Sequence, residues 1–245
     1  FEGGMVLNDY IDRDVDKKEV EYDKLTKYWR LFKNRPIPSG EISSKKALRL
    51  FFLFFLLTVA LILTLPFPNF LYVLIIYLYC YLMEYFYQTK KRNQRYPIAQ
   101  ILGRTDFAIF PVAGYLCVGY PDKTALLYFL FFYPLALSHL GLNDLIDIKN
   151  DIAKEMKTVT FLYGIRKTVI WIVVSTLIHF VTSIILLLNI NRITVYGFVI
   201  SFILLSIANY KLLKTPTPEV GLRVLPFYHL SMVIYSISII VGSIL

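Results

Sequence analysis

LFFLFFLLTVALILTL, residues 50–65, contains no charged side chain and only two hydroxyls in sixteen positions. A helix on the surface of a soluble domain shows a polar stripe opposite its apolar one; this stretch shows none. About 20 apolar residues at roughly 1.5 Å rise cross a hydrocarbon core ~30 Å thick. Working outward, we read seven such spans, at about 46–66, 70–88, 98–119, 123–142, 168–190, 192–213 and 224–245. Composition agrees, with 57% hydrophobic and 16% aromatic residues in the 245-residue chain, against about 45–50% apolar in soluble domains. The expected fold is an all-α transmembrane bundle forming one domain over residues 1–245. FEGGMVL, residues 1–7, reads as the end of a further apolar helix, so a preceding piece of about one and a half helices is expected.

The formal charge of +9 raises the question of a nucleic-acid partner, and its distribution excludes one. Residues 13–49 carry eleven Lys and Arg, 89–104 five, 144–169 five and 211–223 three; of the 26 basic residues only Lys123 and Arg192 lie elsewhere. Basic residues on alternate loops are the positive-inside pattern, which places those four loops in the cytoplasm. The opposite turns, PFPN (66–69), GYPDK (119–123) and NINR (189–192), are built from helix-ending residues. Within 17–45, VEYDKLTKYWRLFKN is read either as a helix lying in the interface or as an ordinary cytoplasmic loop. Cys80 and Cys117 sit in apolar stretches without metal-type spacing and read as inert buried thiols.

Two acidic stretches break this apolar pattern. NDYIDRDVD (8–16) and NDLIDIKND (143–151) share Asn, Asp, Ile, Asp and Asp at the same five places, and each follows an apolar run and enters a basic loop. On a helix at about 100° per residue, Asn8, Asp9, Asp12 and Asp16 share an arc of roughly 100°, as do Asn143, Asp144, Asp147 and Asp151; Asp14 falls off it. Like charges at i,i+3 and i,i+4 weaken a helix. Carboxylates at membrane depth cost a few kcal/mol each on insertion scales, of order 3 kcal/mol. A hard divalent cation offsets both, and Mg²⁺ characteristically shares one or two carboxylates with substrate phosphates. Candidate phosphate-binding cations stand nearby in NRPIPSG (34–40) and YQTKKRNQR (87–95), and at Lys157. In the first of these, two prolines stiffen the segment beside Arg35.

Taken in order, these anchors resemble the UbiA superfamily of intramembrane prenyltransferases. Its first signature, NDxxDxxxD, is matched at Asn8, Asp9, Asp12 and Asp16, and its RPxPSG stretch at Arg35 to Gly40. The second acidic signature is matched at Asp144, Asp147 and Asp151, and the Tyr-x-x-x-Lys element at Tyr87 and Lys91. After the second motif this chain reads EMKTVT, with Met156 and Thr160 where small and Pro residues are common in the family. The resemblance implies nine transmembrane helices, about seven and a part of them in this chain, around a central cavity capped by cytoplasmic loops. It implies an enzyme that uses Mg²⁺, with Mn²⁺ as a substitute, to move an isoprenyl group from a prenyl diphosphate to a lipophilic acceptor. The acceptor classes it leaves open are an aromatic quinone precursor, a haem, a chlorophyll precursor and a glycerol-lipid hydroxyl.

By that resemblance, Asn8, Asp9, Asp12, Asp16, Asp144, Asp147 and Asp151 hold metal. Asn8, Arg35, Lys91 and Lys157 hold diphosphate, and Asp12, Asp147, Tyr87 and Lys91 act in catalysis. An allylic cation also requires a dry, electron-rich wall, for which the tyrosines of 70–88 are available. Arg104 and Asp106 interrupt the apolar 98–119 stretch and read either as a functional pair or as a helix-end ion pair. His139, four residues before the second motif, is a base or, more commonly for such a residue, a hydrogen-bonded core histidine. The rival reading is a divalent-cation transporter or channel, against which stand motifs at helix ends rather than mid-span. The Gly- and Arg-containing acidic pattern of CDP-alcohol phosphotransferases is absent.

Overall fold

The computed structural model describes residues 2–21 and 36–244. Every regular element among them is helical. In chain order these are α1 (Glu2–Asp12), α2 (Ser44–Ile62), α3 (Asn69–Lys90), α4 (Ile98–Gly103), α5 (Thr105–Leu116) and α6 (Lys123–Ile146). They continue as α7 (Ile148–Ala153), α8 (Val159–Leu187), α9 (Val195–Lys214) and α10 (Pro218–Ile244).

Five of these helices, α3, α6, α8, α9 and α10 (with the turn before it, α9 runs Arg192–Lys214), are long and apolar enough to cross a membrane. The two other expected spans depart from that form for identifiable reasons. The 46–66 stretch is helical over 19 residues, but Lys45, Lys46 and Arg49 occupy its first turns. The 98–119 stretch breaks at Arg104, whose φ of −90° and ψ of 9° leave the helical region. Gly103 sits just before the break because α4 presses on α3 there: a Cβ would stand 2.7 Å from the Tyr87 Cβ.

The apolar outer surface is that of a protein solvated by hydrocarbon. Leu56, Leu61, Ile170, Leu177 and Val181 are all more than half exposed, as lipid-facing positions are. Inside, two cores form. One joins α6, α8, α9 and α10 around Phe131, Phe198, Tyr228 and Tyr235; the other joins α2, α3, α5 and the start of α6 around Val73, Tyr77 and Leu116. Helix α6 belongs to both: its start gives Ala125 to the smaller core, and its acidic-motif end packs Leu142, Leu145 and Ile146 into the larger one.

Polar side chains inside the larger core are paired with each other, as a medium without water demands. Ser138 bonds Thr176 at 2.7 Å and Tyr228 at 3.0 Å, and the Asn209 amide donates to the Tyr228 and Thr176 oxygens at 3.3 and 3.2 Å. This cluster ties α6, α8, α9 and α10 together a turn or so below the second acidic motif. Gly164 takes φ 78° and kinks α8 near its start, a left-handed conformation that glycine reaches without a Cβ penalty.

Candidate active site

Helix α1 stops at Asp12, and a turn over Arg13–Val15 leads to a single 3-10 turn at Asp16–Lys18. Asp12 is 4% exposed and Asp16 1%, so both are turned inward although only the first is on the α-helix. Asp14 is turned out, with its side chain 67% exposed beside Lys17. The second motif is divided in the same way. Asp144 belongs to α6, Asp147 sits at a break with φ −91° and ψ 11°, and Asp151 lies on α7. A single helical face therefore does not gather either motif; a helix end followed by a turn does, in both.

The two acidic ends face each other across a polar cavity of about 260 Å³. Asn8, Asp12, Asp16, Asp144, Asp147 and Asp151 line it together with Tyr87, Lys91, Arg104 and Lys154. Asp9 is half-buried and does not line it, and neither does Lys157, whose contribution is through backbone. The Lys157 N–H donates to the Lys91 carbonyl at 2.8 Å and its carbonyl accepts from Gln94 at 2.7 Å, which joins the post-motif loop to the end of α3. Arg35 lies outside the described residues, as do residues 22–34 of the VEYDKLTKYWRLFKN stretch read as an interfacial helix or loop.

Cations bridge the acidic ends. Lys91 Nζ stands 2.8 Å from Asp12 Oδ2 and Arg92 Nη2 2.6 Å from Asp12 Oδ1, while Lys91 also bonds the Gln88 side chain. Lys154 Nζ reaches from α7's end to Asp16 at 2.8 Å and Glu19 at 2.6 Å. Burial by itself lowers the Lys154 ammonium, but Asp16 and Glu19 outweigh that and hold it above its ordinary value. Lys154 has no counterpart in the motifs read from sequence. The one sequence signal that could have found it is its position after the second motif, in a charged loop.

On the other wall, Thr158 Oγ1 donates to Asp151 Oδ2 at 2.8 Å and the Val159 N–H to Asp144 Oδ2 at 3.1 Å. Glu155, at φ 56°, makes the turn that returns Thr158 to Asp151. Burial, and then the neighbouring Asp144 and Asp147 charges, push the Asp151 carboxyl well above the usual carboxylate range.

Three observations bear on whether a divalent cation suits these residues. The donors are all hard oxygens, the type Mg²⁺ selects. Asn143 Oδ1, at the head of the second motif, is buried without a hydrogen-bond partner among the described residues. Among the described residues no three acidic, His or Cys side chains converge tightly enough to cage a metal by themselves. The set thus fits an ion that shares its coordination between a few carboxylates, water and phosphate oxygens, and does not fit an all-protein cage.

A second, larger cavity of about 600 Å³ opens below the first, walled mainly by apolar and aromatic residues such as Tyr77, Tyr81, Phe107, Phe110 and Phe132. Asn8, Arg104, Leu140 and Asn143 line both cavities and form the neck between them. Arg104 lies 3.6 Å over the Tyr87 ring, pairs with Glu84 at 3.0 Å and approaches Asp106 at 3.4 Å. Of its two sequence readings, the structure takes elements of each: an ion-pair cluster at a helix break, placed on the path between the cavities.

The UbiA prenyltransferase family model matches residues 3–233. A digeranylgeranylglyceryl phosphate synthase of Methanosphaera stadtmanae is 26% identical over 183 residues, 74% of this chain and 60% of that protein. The chain therefore spans about three-fifths of the length of this curated relative. A structure solved in work on digeranylgeranylglyceryl phosphate synthase in membranes superposes with a TM-score of 0.70 at 22% identity, over 99% of this chain and 81% of that one. A UbiA homolog from Archaeoglobus fulgidus bound to DMAPP and Mg²⁺ gives 0.69 at 18% identity, over 99% and 83%. With a family match running over nearly its whole length and the same helical fold in these neighbours, the chain belongs to the UbiA prenyltransferase family.

Proposed function

We propose that this chain is an intramembrane prenyltransferase that uses Mg²⁺, or Mn²⁺ in its place, to transfer an isoprenyl group from a prenyl diphosphate to a lipophilic acceptor, releasing diphosphate. The observation that carries this is the pair of cavities joined at one neck, one lined by carboxylates and lysines and one by apolar and aromatic side chains. A prenyl diphosphate has the same two-part chemistry. Charge supports the need for metal. Five aspartates, two lysines and one arginine line the polar cavity, a formal balance of −2, and a diphosphate adds about −3. Two divalent ions reduce that total to about −1, which the rim cations and water tolerate.

In this reading Asn8, Asp12, Asp16, Asp144, Asp147 and Asp151 hold the metal, and Lys91 and Lys154 hold phosphate oxygens, with Arg35 assigned there by its RPIPSG motif. The metal, when bound, supplies charge neutralisation at the leaving diphosphate. The chain's own residues hold the isoprenyl group in the apolar cavity, exclude water there, and place the Tyr87 ring beside the carbon that becomes positive. Among acceptors, a glycerol-lipid hydroxyl is favoured by the likeness to a digeranylgeranylglyceryl phosphate synthase. The basic loops flank both motifs, so we place the active-site end in the cytoplasm of a multi-pass membrane protein.

The test is binding. Labelled prenyl diphosphate should bind the purified chain with Mg²⁺ or Mn²⁺ and lose at least tenfold in affinity in EDTA. Affinity unchanged by EDTA removes the aspartates from diphosphate binding. Proteoliposomes that pass Mg²⁺ without binding prenyl diphosphate point instead to the cation transporter.

A further inference from the structure

The larger cavity contains a basic group that none of the steps above uses. His139 lines it from α6, one helical turn, about 6 Å along the axis, from Asn143 at the neck. Its Nε2 is 3.0 Å from Nε2 of His229 on α10, and among the described residues its Nδ1 has no hydrogen-bond partner. His179 in the same bundle is the contrast: Nδ1 bonds the Phe131 carbonyl at 2.9 Å, Nε2 bonds Tyr235 at 3.0 Å, and it lines neither of the two cavities. His179 has the contacts of a core histidine; His139 leaves one nitrogen for something else.

The other titratable groups of this cavity are already engaged. Glu84 accepts from Arg104, Asn8 and Gln88, and Asp106 accepts from Arg104 and from the Phe107 N–H. Tyr77 donates to the Phe55 carbonyl, and Ser236 to that of Met232. Cys80 Sγ stands 3.9 Å from the Asp106 carbonyl, and Tyr81 Oη contacts Tyr77 Oη. The groups that face His139 are therefore Arg104, Glu84 and Asp106 across the cavity and His229 and Tyr228 from α10.

We propose that His139, relayed by His229, is the base that takes the proton of an alcohol acceptor during prenyl transfer. This rests on the prenyltransferase reading above, with its hydroxyl acceptor, and adds the residue that takes the acceptor's proton. As the isoprenyl C1–O bond breaks, its electron pair leaves with diphosphate. The acceptor oxygen forms the C1–O ether bond, and its hydroxyl proton moves to His139 Nδ1. In the tautomer with hydrogen on Nε2, that hydrogen then passes to His229 Nε2, so the positive charge ends on the half-buried histidine rather than beside the cation-forming carbon. One proton is released per ether formed, and no oxidant or further reactant is needed.

The experiment compares wild type, His139→Gln and His229→Gln as full-length protein in lipid nanodiscs, with a prenyl diphosphate and a monoprenylated glycerol phosphate that has one free hydroxyl. Mg²⁺-dependent prenyl diphosphate binding reports folding and the underlying reading separately. The expected result is unchanged binding in all three, a fall in kcat of about 10²-fold or more for His139→Gln, and loss of the low-pH inflection in its rate profile. His229→Gln should keep an inflection, displaced, with a smaller fall. Normal kcat and a wild-type pH profile in His139→Gln overturn the proposal, as does a wild type that binds prenyl diphosphate but prenylates no hydroxyl. A wild type that binds no prenyl diphosphate removes the prenyltransferase reading itself, and this inference with it.

Discussion

Arg104 is held in a buried ion-pair cluster with Glu84 and Asp106, and replacing it with Met tests the architecture of the neck. Its side chain is 11% exposed, that of Glu84 12% and that of Asp106 7%. At an effective dielectric near 20, charges 3.0 and 3.4 Å apart attract by roughly 5 kcal/mol each before desolvation. Desolvation returns most of this for the intact cluster, so the gross figure is not the contribution to stability. Removing the cation alone is different, because the two carboxylates then remain buried without their counter-charge. Breaking one buried pair costs about 3–5 kcal/mol, and Met keeps much of the aliphatic packing of the Arg stem. For a chain of this size each kcal/mol shifts Tm by about 2–4 °C, so Arg104→Met should melt roughly 10 °C below wild type. The assay is thermal unfolding of the purified protein in detergent, followed by near-ultraviolet circular dichroism. Adding Glu84→Gln and Asp106→Asn to Arg104→Met should recover most of the loss, since neutral amides of the same shape replace the stranded charges. A single Arg104→Met protein melting within about 2 °C of wild type refutes the reasoning, and the cluster is then a solvated pair.

Asp12→Asn and Asp147→Asn keep shape and remove charge, so each should lower Mg²⁺-dependent turnover by about 10²-fold or more, whereas Asp14→Asn, exposed outside the cavity, should be nearly silent. Lys91→Ala and Lys154→Ala should raise the KM for prenyl diphosphate as well as lower kcat, measured at saturating and limiting Mg²⁺; a Lys154→Ala protein with wild-type KM removes that lysine from the phosphate site. Cysteines placed in loops 17–45, 89–104 and 144–169 should react with an impermeant label only from the cytoplasmic side, and labelling of a motif loop from outside reverses the assigned orientation.

Much of this site is visible along the chain because its chemistry is repeated there. Asn8, Asp9, Asp12 and Asp16 match Asn143, Asp144, Asp147 and Asp151 position for position, and a carboxylate run in an apolar chain has few uses other than binding a cation. Five of the seven membrane spans were equally legible, since hydrocarbon selects residues one at a time by transfer free energy and needs no knowledge of neighbours. Helical periodicity also separates Asp14 from Asp12 correctly. Its explanation of Asp16 does not hold, because α1 ends at Asp12 and a turn, not a helical face, brings Asp16 inward.

Pairings between distant segments were settled only in three dimensions. Lys154 meets Asp16 from 138 residues away, and His139 meets His229 from 90; neither contact leaves a periodic trace in the sequence. Lys157 and Lys154 are three residues apart in one loop, yet Lys154 lines the polar cavity and Lys157 does not. Glu155 in a left-handed turn and Asp151 bonded by Thr158 set that choice. The physical reason is that composition, hydropathy and charge spacing are properties of single residues and local windows, whereas the use of a buried polar atom depends on which partner the fold delivers. His179 and His139 show this most directly: both are histidines in apolar helices, but His139 lines the larger cavity and bonds His229, whereas both ring nitrogens of His179 are bonded within the core.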